Sequence, residues 1–364
     1  MRKPSSCEAV AVAAALTLAC SNPAAPSGQS RTLPSPDAIP AAPVAPITVL
    51  EPSPQPTPCA ATHPLTLHFY DVAQALAVLV DLPDGRHILV DTGDAPGRRG
   101  CGDSCDAADR RLLARLATDL HGAPIDLLWI THQHSDHIGG APNVLTAFKV
   151  GTYVDNGRDA HEPEVRRAHE AAASRGTLVE VVTPGRATVP IPNSPDTTLT
   201  AVVPATWPSS CAHNPNNCSI ALRIDVCRSS VLFTGDAEHE EEARWGPLGQ
   251  VTLLQVGHHG SDTSTTPGLL AKLRPTYAVL SAGRPGEGMN AEYCLPRALI
   301  AKRLTSLLGG PGSKTLRAFD GDRCAGSGAA DWVDVLVSDR LWATERDGDV
   351  VLSTTGDATF AREP

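Results

Sequence analysis

Outside its first twenty residues the chain has no apolar run of the ~18–20 residues that a spanning helix needs, which excludes a multispan membrane protein. It also lacks an excess of positive charge. Lys and Arg number 30 against 40 Asp and Glu, and the net charge of −10 argues against a protein that coats nucleic acid through its overall field. A local basic groove stays open. Charge of either sign is thin, at 19% against 41% hydrophobic residues, so the chain is not disordered as a whole. Its 364 residues are enough for one large domain or two small ones with a sizeable core.

What the sequence has in quantity is proline, with 32 residues, and it has ten cysteines. Residues 1–20 begin with the charged Arg2 and Lys3, continue through a short apolar run from Ala9 to Ala19, and end at Cys20. This is the pattern of a secretory signal peptide and resembles a bacterial lipoprotein signal, in which the cysteine is lipidated. Thr17 stands where that signal usually has Leu. The expectation is an exported, extracytoplasmic protein held at a membrane through a lipid on Cys20. Residues 21–63 are dense in Pro, Ala and Ser without apolar periodicity, as in a semi-extended tether. Eight further cysteines, an even number behind a secretory signal, suggest disulfides. Cys101 with Cys105 and Cys211 with Cys218 are close enough to close small loops, although spacing does not determine the pairing. A CxxxC pair can also bind metal, but no second Cys or His pair lies near 101 and 105, which favours the disulfide.

From Leu65 onward short apolar runs alternate with helical spacing, so the domain from 64 to 364 is expected to be α/β. Residues 65–94 read as three strands, two of them joined by Pro83-Asp84-Gly85. Helical stretches are expected at Arg110–Leu120, Glu162–Ser174, Glu238–Trp245 and Pro267–Leu273. The informative residues stand immediately after the apolar runs. Ile88-Leu89-Val90 precedes Asp91-Thr92-Gly93, and Leu127 to Ile130 precedes Thr131-His132-Gln133-His134-Ser135-Asp136-His137. Val231-Leu232-Phe233 precedes Thr234-Gly235-Asp236, and Leu253 to Val256 precedes Gly257-His258-His259-Gly260. Functional groups in open α/β sheets gather beyond the carboxyl ends of strands. Four strand ends could therefore deliver imidazoles and carboxylates to one place.

His132, His134, Asp136 and His137 form an HxHxDH cluster. Imidazole with carboxylate suits zinc, manganese or iron. One ion cannot easily take all four ligands from so short a loop. His132 and His134 can converge on one ion, Asp136 and His137 on a second, with Asp236 bridging. Such paired ions activate water and stabilise attacking and leaving oxygens. Singly, Asp91 and Asp236 read equally well as turn residues, and the His258-His259 pair also admits a surface-loop reading, though less readily. His161, His169 and His239 sit among charges and are expected to be solvated. His63, His68, His87, His121 and His213 have no partner motif and are expected to be structural or exposed.

With its upstream VDTG and downstream TGD, the HxHxDH cluster resembles the metallo-β-lactamase fold superfamily. More narrowly, FYDVAQALAVLVDLPDGRHILVDTGD, WITHQHSDHIGG, VLFTGDAE and LLQVGHHGSDTS resemble the hydrolase domain of the ComEC/Rec2 DNA-uptake proteins. The resemblance runs from about Leu65 to Gly356 and implies an αββα four-layer sandwich. It implies metal ligands at His132, His134, Asp136, His137, Asp236 and His258. Asp91 would orient a ligand histidine from beneath. Asn217, beside Asn216, would stand where other members carry a further histidine. Asp136, His258 and His259 are the implied catalytic groups, and either histidine could protonate the leaving group. One or two divalent ions are implied, zinc (Zn2+) before manganese (Mn2+). Leu295 departs from the pattern, standing where a second-metal histidine is usual; Cys294 beside it could offer a thiolate or be held in a disulfide. Residues 309–334 look like an insertion.

Ions of this kind make a nucleophilic water available near neutral pH, which suits phosphodiesters, esters, amides and thioesters. The resemblance favours phosphodiesters of DNA or nucleotides, with a small phosphoester or nucleic acid as substrate and no obligate protein partner. The alternatives are a β-lactam or lactone hydrolase, or an impaired binding module on the same fold. Arg98-Arg99, Arg158 and Arg166-Arg167 are the candidates for a local basic groove.

Overall fold

In chain order the strands are β1 (Leu65–Phe69), β2 (Val78–Asp81), β3 (His87–Val90), β4 (Ile125–Trp129), β5 (Val150–Asp155) and β6 (Leu178–Val181). Next come β7 (Thr197–Val202), β8 (Ala221–Val226), β9 (Ser229–Phe233), β10 (Leu253–Gln255) and β11 (Tyr277–Leu280). The last are β12 (Gly312–Phe319), β13 (Trp332–Ser338), β14 (Leu341–Ala343), β15 (Val350–Thr354) and β16 (Ala361–Arg362). They belong to a computed structural model that describes Cys59, Ala61 and residues 63–159 and 161–364. The expected signal segment with Cys20, and the tether as far as residue 58, lie outside the described residues.

Two large mixed sheets result. One has eight strands in the order β16-β15-β1-β2-β3-β4-β5-β6, the other six in the order β14-β11-β10-β9-β8-β7. In β3 and β4 successive side chains point to opposite faces, so Ile88, Val90, Leu127 and Trp129 enter a core shared with Leu222, Val231, Phe233 and Val279 of the other sheet. Leu89, Leu128 and Ile130 point the other way, beneath helices carrying Leu112, Leu116, Val144 and Ala168. The outer face of the six-stranded sheet is covered in the same way by Leu269, Leu273, Ile300 and Leu304. Strands buried on both faces read as continuous apolar runs rather than alternations, as these do. The four layers are helix, sheet, sheet and helix, the metallo-β-lactamase fold. Among the described residues no helix is long and apolar enough to cross a membrane.

The first hairpin forms as expected, with β2 antiparallel to β3 across Pro83-Asp84-Gly85. The expected helix at Arg110–Leu120 begins earlier, at Asp103, because Asp103 and Asp106 occupy its first turn and Cys101–Cys105 ties that turn to the preceding loop. The stretch expected at Glu238–Trp245 is helical only over His239–Glu242. The segment from 309 to 334 supplies β12 and the start of β13, which pair antiparallel as a separate two-stranded ribbon.

All eight cysteines outside Cys7 and Cys20 are paired. Cys101–Cys105 and Cys211–Cys218 close short loops, Cys294–Cys324 ties the ribbon insertion to the loop after β11, and Cys59–Cys227 spans 168 residues of sequence. Cys294 is therefore not free to act as a thiolate ligand.

Candidate metal centre

The loop after β4 is held by local bonds that arise from its residue types. Thr131 donates its backbone N–H to Asp91 Oδ1 at 2.7 Å and its hydroxyl to Asp91 Oδ2 at 2.8 Å. The next residues enter a helical turn, Ser135–Ile138, packed so closely on the loop after β3 that a Cβ on Gly139 would lie 2.0 Å from the backbone nitrogen of Ala95. After β9, Gly235 adopts φ +56° beside the Thr131 side chain, where a Cβ would lie 2.7 Å from it. Only glycine there lets Asp236 approach the β4 loop.

The strand ends do converge. His137 Nε2 is 3.2 Å from Asp236 Oδ2, and His259 Nε2 is 3.5 Å from both Asp136 Oδ2 and Asp236 Oδ2. Ligand atoms of His132, His137 and Asp236 all lie within 4.8 Å of one another, as do those of Asp136, His137 and His259. His134 adjoins the first group, with Nδ1 3.1 Å from His132 Nε2. Buried without a hydrogen-bond partner among the described residues are His137 Nε2, His259 Nε2 and Asp236 Oδ1. Orphaned acceptors and imidazole nitrogens facing one another under several carboxylates are what a bound cation satisfies. The two groups overlap at His137, whose free ring nitrogen can serve a single ion, so the residues present fit one divalent ion, with Asp136 and His259 left for a second.

Hydrogen bonding fixes which ring nitrogens face the centre. Asp91 Oδ2 lies 2.7 Å from His137 Nδ1, and an ionised carboxylate only accepts, so the proton sits on Nδ1 and Nε2 is left toward Asp236. Because Thr131 gives its only hydroxyl hydrogen to Asp91, His132 Nδ1, at 3.2 Å, must donate to Thr131, which leaves Nε2 bare. His259 Nδ1 meets the Ser281 carbonyl at 2.8 Å and is likewise a donor.

The charges agree. Burial lowers the His137 pKa, but Asp236 and Asp91 outweigh it and hold the ring well above the ordinary imidazole range. Burial raises the Asp236 pKa, and the surrounding histidines, His137 first, pull it well below the usual carboxylate value. His132, buried beside His137, is pushed well down and stays neutral. The site thus concentrates carboxylates that call for positive charge.

Three expected residues take a different arrangement here. His258 is not in either ligand group. Its Nε2 is 3.8 Å from Asp236 Oδ2 and 3.4 Å from Asn216 Nδ2, and its Nδ1 is 3.0 Å from Thr263 Oγ1. His259, expected as an acid–base group, is instead buried with its ring nitrogen aimed at Asp136 and Asp236. Both residues take left-handed backbone, at φ 49° and 52°, and this turn sends the two rings different ways. Asn217, expected beside the metals, turns its amide to Glu238 Oε2 at 3.3 Å, whereas Asn216 lines the cleft.

The cleft above the cluster encloses about 250 Å³, with Arg98, Glu162, Asn216 and His258 around it and Leu295 in its wall. Leu295 thus borders the same cleft as the ligand groups but offers no ligand atom. Arg98 donates to Asp94 Oδ2 at 2.7 Å and to the Tyr293 hydroxyl at 2.6 Å. Glu238 was not singled out in the sequence; it accepts from Asn214 at 2.9 Å and from Thr263 at 3.1 Å, and lies 3.5 Å from His258 Nδ1. Its only sequence signal is its place two residues after Asp236.

The sequence matches the Metallo-beta-lactamase superfamily over residues 70–284. This chain belongs to that superfamily. It is similar to Recombination protein 2 of Haemophilus influenzae, 32% identical over 218 residues, which cover 59% of this chain and 24% of the relative. ComE operon protein 3 of Bacillus subtilis is 29% identical over 232 residues, 59% of this chain and 28% of the relative. Competence protein ComA of Neisseria gonorrhoeae is 31% identical over 224 residues, 59% and 26%. The chain spans about a quarter of the length of these relatives. Among solved structures, a putative metal-dependent hydrolase from Parabacteroides distasonis aligns with TM-score 0.35 and 16% identity, covering 59% of this chain and 80% of that one. Zn(2+)-bound PqqB from Methylobacterium extorquens aligns with TM-score 0.36 and 11% identity, covering 57% and 75%. Membership places the chain in a hydrolase superfamily whose members typically bind one or two divalent metals.

Proposed function

We infer that this protein is a metal-dependent hydrolase of phosphodiester bonds in DNA or nucleotides. The observation that carries the reading is the pair of ligand groups, His132/His137/Asp236 and Asp136/His137/His259, at the floor of a cleft with an arginine at its rim. One or two divalent cations, zinc or manganese, would supply Lewis-acid polarisation and a nucleophilic water at neutral pH. The chain's own residues account for the rest. Arg98 presents a guanidinium to a phosphate entering the cleft, already oriented by Asp94 and Tyr293. His258, at the rim with its side chain 23% exposed, is the proton donor to the leaving oxygen, since His259 is committed to the floor. His259 also supplies an imidazole to the group that Leu295 leaves short, which weighs against an impaired binding module. Similarity to Recombination protein 2, ComE operon protein 3 and Competence protein ComA supports a DNA-related substrate.

We place the protein outside the cytoplasm, as an exported lipoprotein; four disulfides support that placement. The test of activity is hydrolysis of bis-p-nitrophenyl phosphate and of single-stranded DNA by the metal-loaded protein. It should be abolished by EDTA and by His134→Ala. Turnover of nitrocefin or an acyl-homoserine lactone without phosphodiester cleavage would overturn the reading in favour of the β-lactam or lactone alternative.

A further inference from the structure

A second cavity, of about 510 Å³, lies beside the metal cleft, and its size falls in the ~300–1,000 Å³ range of small-ligand sites. Its lining shows that it adjoins that cleft across a thin wall. Gln133, His161 and Pro215 face the second cavity, while their immediate neighbours His134, Glu162 and Asn216 face the first. Three separate segments thus form a common partition, and a ligand crossing it passes within one residue of the HxHxDH loop.

The walls are built rather than loose. Cys211–Cys218 closes one of them, Asn156 donates to the Cys218 carbonyl at 2.6 Å, and Gln133 donates to Asn156 Oδ1. Arg158, His161 and His213 supply the donors. Asp159 is the carboxylate in the lining, and it accepts from the backbone N–H of His161 at 3.2 Å. Among the described residues the Arg158 guanidinium reaches only the Cys211 carbonyl, at a long 3.4 Å, so its strong donors remain to be used. Arg166 and Arg167, by contrast, pair with Glu170 and Glu164 along one helix, and Arg317, which lines a third cavity, pairs with Asp334 at 3.1 Å. In a chain of net charge −10, an uncommitted guanidinium and two imidazoles around a cavity beside the reaction centre are a local departure from the overall field.

We propose that this cavity is a binding subsite for the nucleotide next to the scissile bond, with Arg158 and His213 holding its phosphate. The proposal rests on the phosphodiester reading and narrows it, because a subsite of this kind serves a substrate of at least two nucleotides. It predicts that affinity grows when the substrate extends beyond one phosphodiester.

The test uses the full chain loaded with zinc. Binding of a fluorescein-labelled single-stranded hexathymidylate is tracked by anisotropy at several salt concentrations, and bis-p-nitrophenyl phosphate hydrolysis is measured in parallel. Arg158→Ala should weaken oligonucleotide binding about tenfold and lower the salt slope by about 1, while leaving KM and kcat for the small diester unchanged. His213→Ala should act in the same direction, and Arg158→Lys should restore part of the affinity. Unchanged oligonucleotide binding in both alanine variants overturns the subsite, whatever the small diester shows. An equal loss on both substrates also overturns it, by making Arg158 a support of the metal cleft. Arg158-dependent oligonucleotide binding without hydrolysis of either substrate would sustain the subsite and sink the hydrolase reading.

Discussion

His259 Nδ1 sits 2.8 Å from the carbonyl oxygen of Ser281, at the end of β11. A carbonyl only accepts, so the ring proton is fixed on that side and the bare Nε2 faces Asp136 and Asp236. His258, one residue earlier, makes its contacts with side chains and keeps partial access to solvent. The two neighbours are therefore separable by experiment. His259→Ala should weaken metal retention, measured by elemental analysis after dialysis, by more than the ~10–100-fold typical of losing an outer partner. His258→Ala should keep the metal and lower kcat by about 10²–10⁴. Equal metal loss in both variants would contradict the assignment.

The choice between these two histidines could not be read from GHHG, because it depends on two successive left-handed residues that no local rule demands of histidine. The HxHxDH loop was legible for the opposite reason: its ligands are local and come directly after a buried apolar strand, so spacing alone limits where they point. Asp91 and Asp236 were legible through their shared position after strands. Glu238 was not, since its partners Asn214, Asn217 and Thr263 come from distant segments. The pairing of Cys59 with Cys227 was equally hidden. Nothing near either cysteine names its partner across 168 residues, whereas Cys101 and Cys105 could be matched by proximity. Residues 309–334 stood out as an insertion, but their pairing into a ribbon against residues 332–338 required the fold.

Glu345 gives the protein a pH-dependent stability away from the metal centre. Its carboxyl is buried in the turn after β14, with Oε1 lacking a hydrogen-bond partner among the described residues, and burial pushes its pKa from 4.5 to about 8 against the opposing pull of Arg346 and Arg284. The folded state therefore holds a proton that the unfolded chain releases above about pH 4.5. Between the two values the folded state binds more protons, so this group's contribution to stability declines as pH rises and levels off above about pH 8. Denaturant midpoints of the wild type should fall across that window relative to Glu345→Gln, by the order of a few kcal/mol at most. Parallel curves for the two proteins would show that the carboxyl stays ionised in the fold.

The Cys294–Cys324 bond connects the ribbon to the segment carrying Leu295, within reach of the metal cleft. If its role is mechanical, Cys294→Ser should cost about 2–4 kcal/mol in denaturant unfolding while leaving the metal content at its wild-type value. Loss of metal without loss of stability would instead mean that the sulfur is a ligand and the bond is not formed.

Leu295 offers a direct test of how complete the second ligand group is. Its backbone is gripped on both sides by Asn290, whose Oδ1 accepts from the Leu295 N–H at 2.8 Å and whose Nδ2 donates to the Leu295 carbonyl at 2.6 Å. The side chain is 6% exposed and forms part of the cleft wall. A histidine of comparable length at this clamped position would bring a further imidazole to the cleft without moving the loop. Leu295→His should slow the release of metal to EDTA by about tenfold, equivalent to ~1.4 kcal/mol. The gain should survive in the His258→Ala background and shrink when His259 is also replaced, because the added ring supplements the group that His259 completes. If Leu295→His has no effect on metal release while the protein folds normally, as judged by an unchanged denaturant midpoint, the wall at 295 is not adjacent to a bound ion.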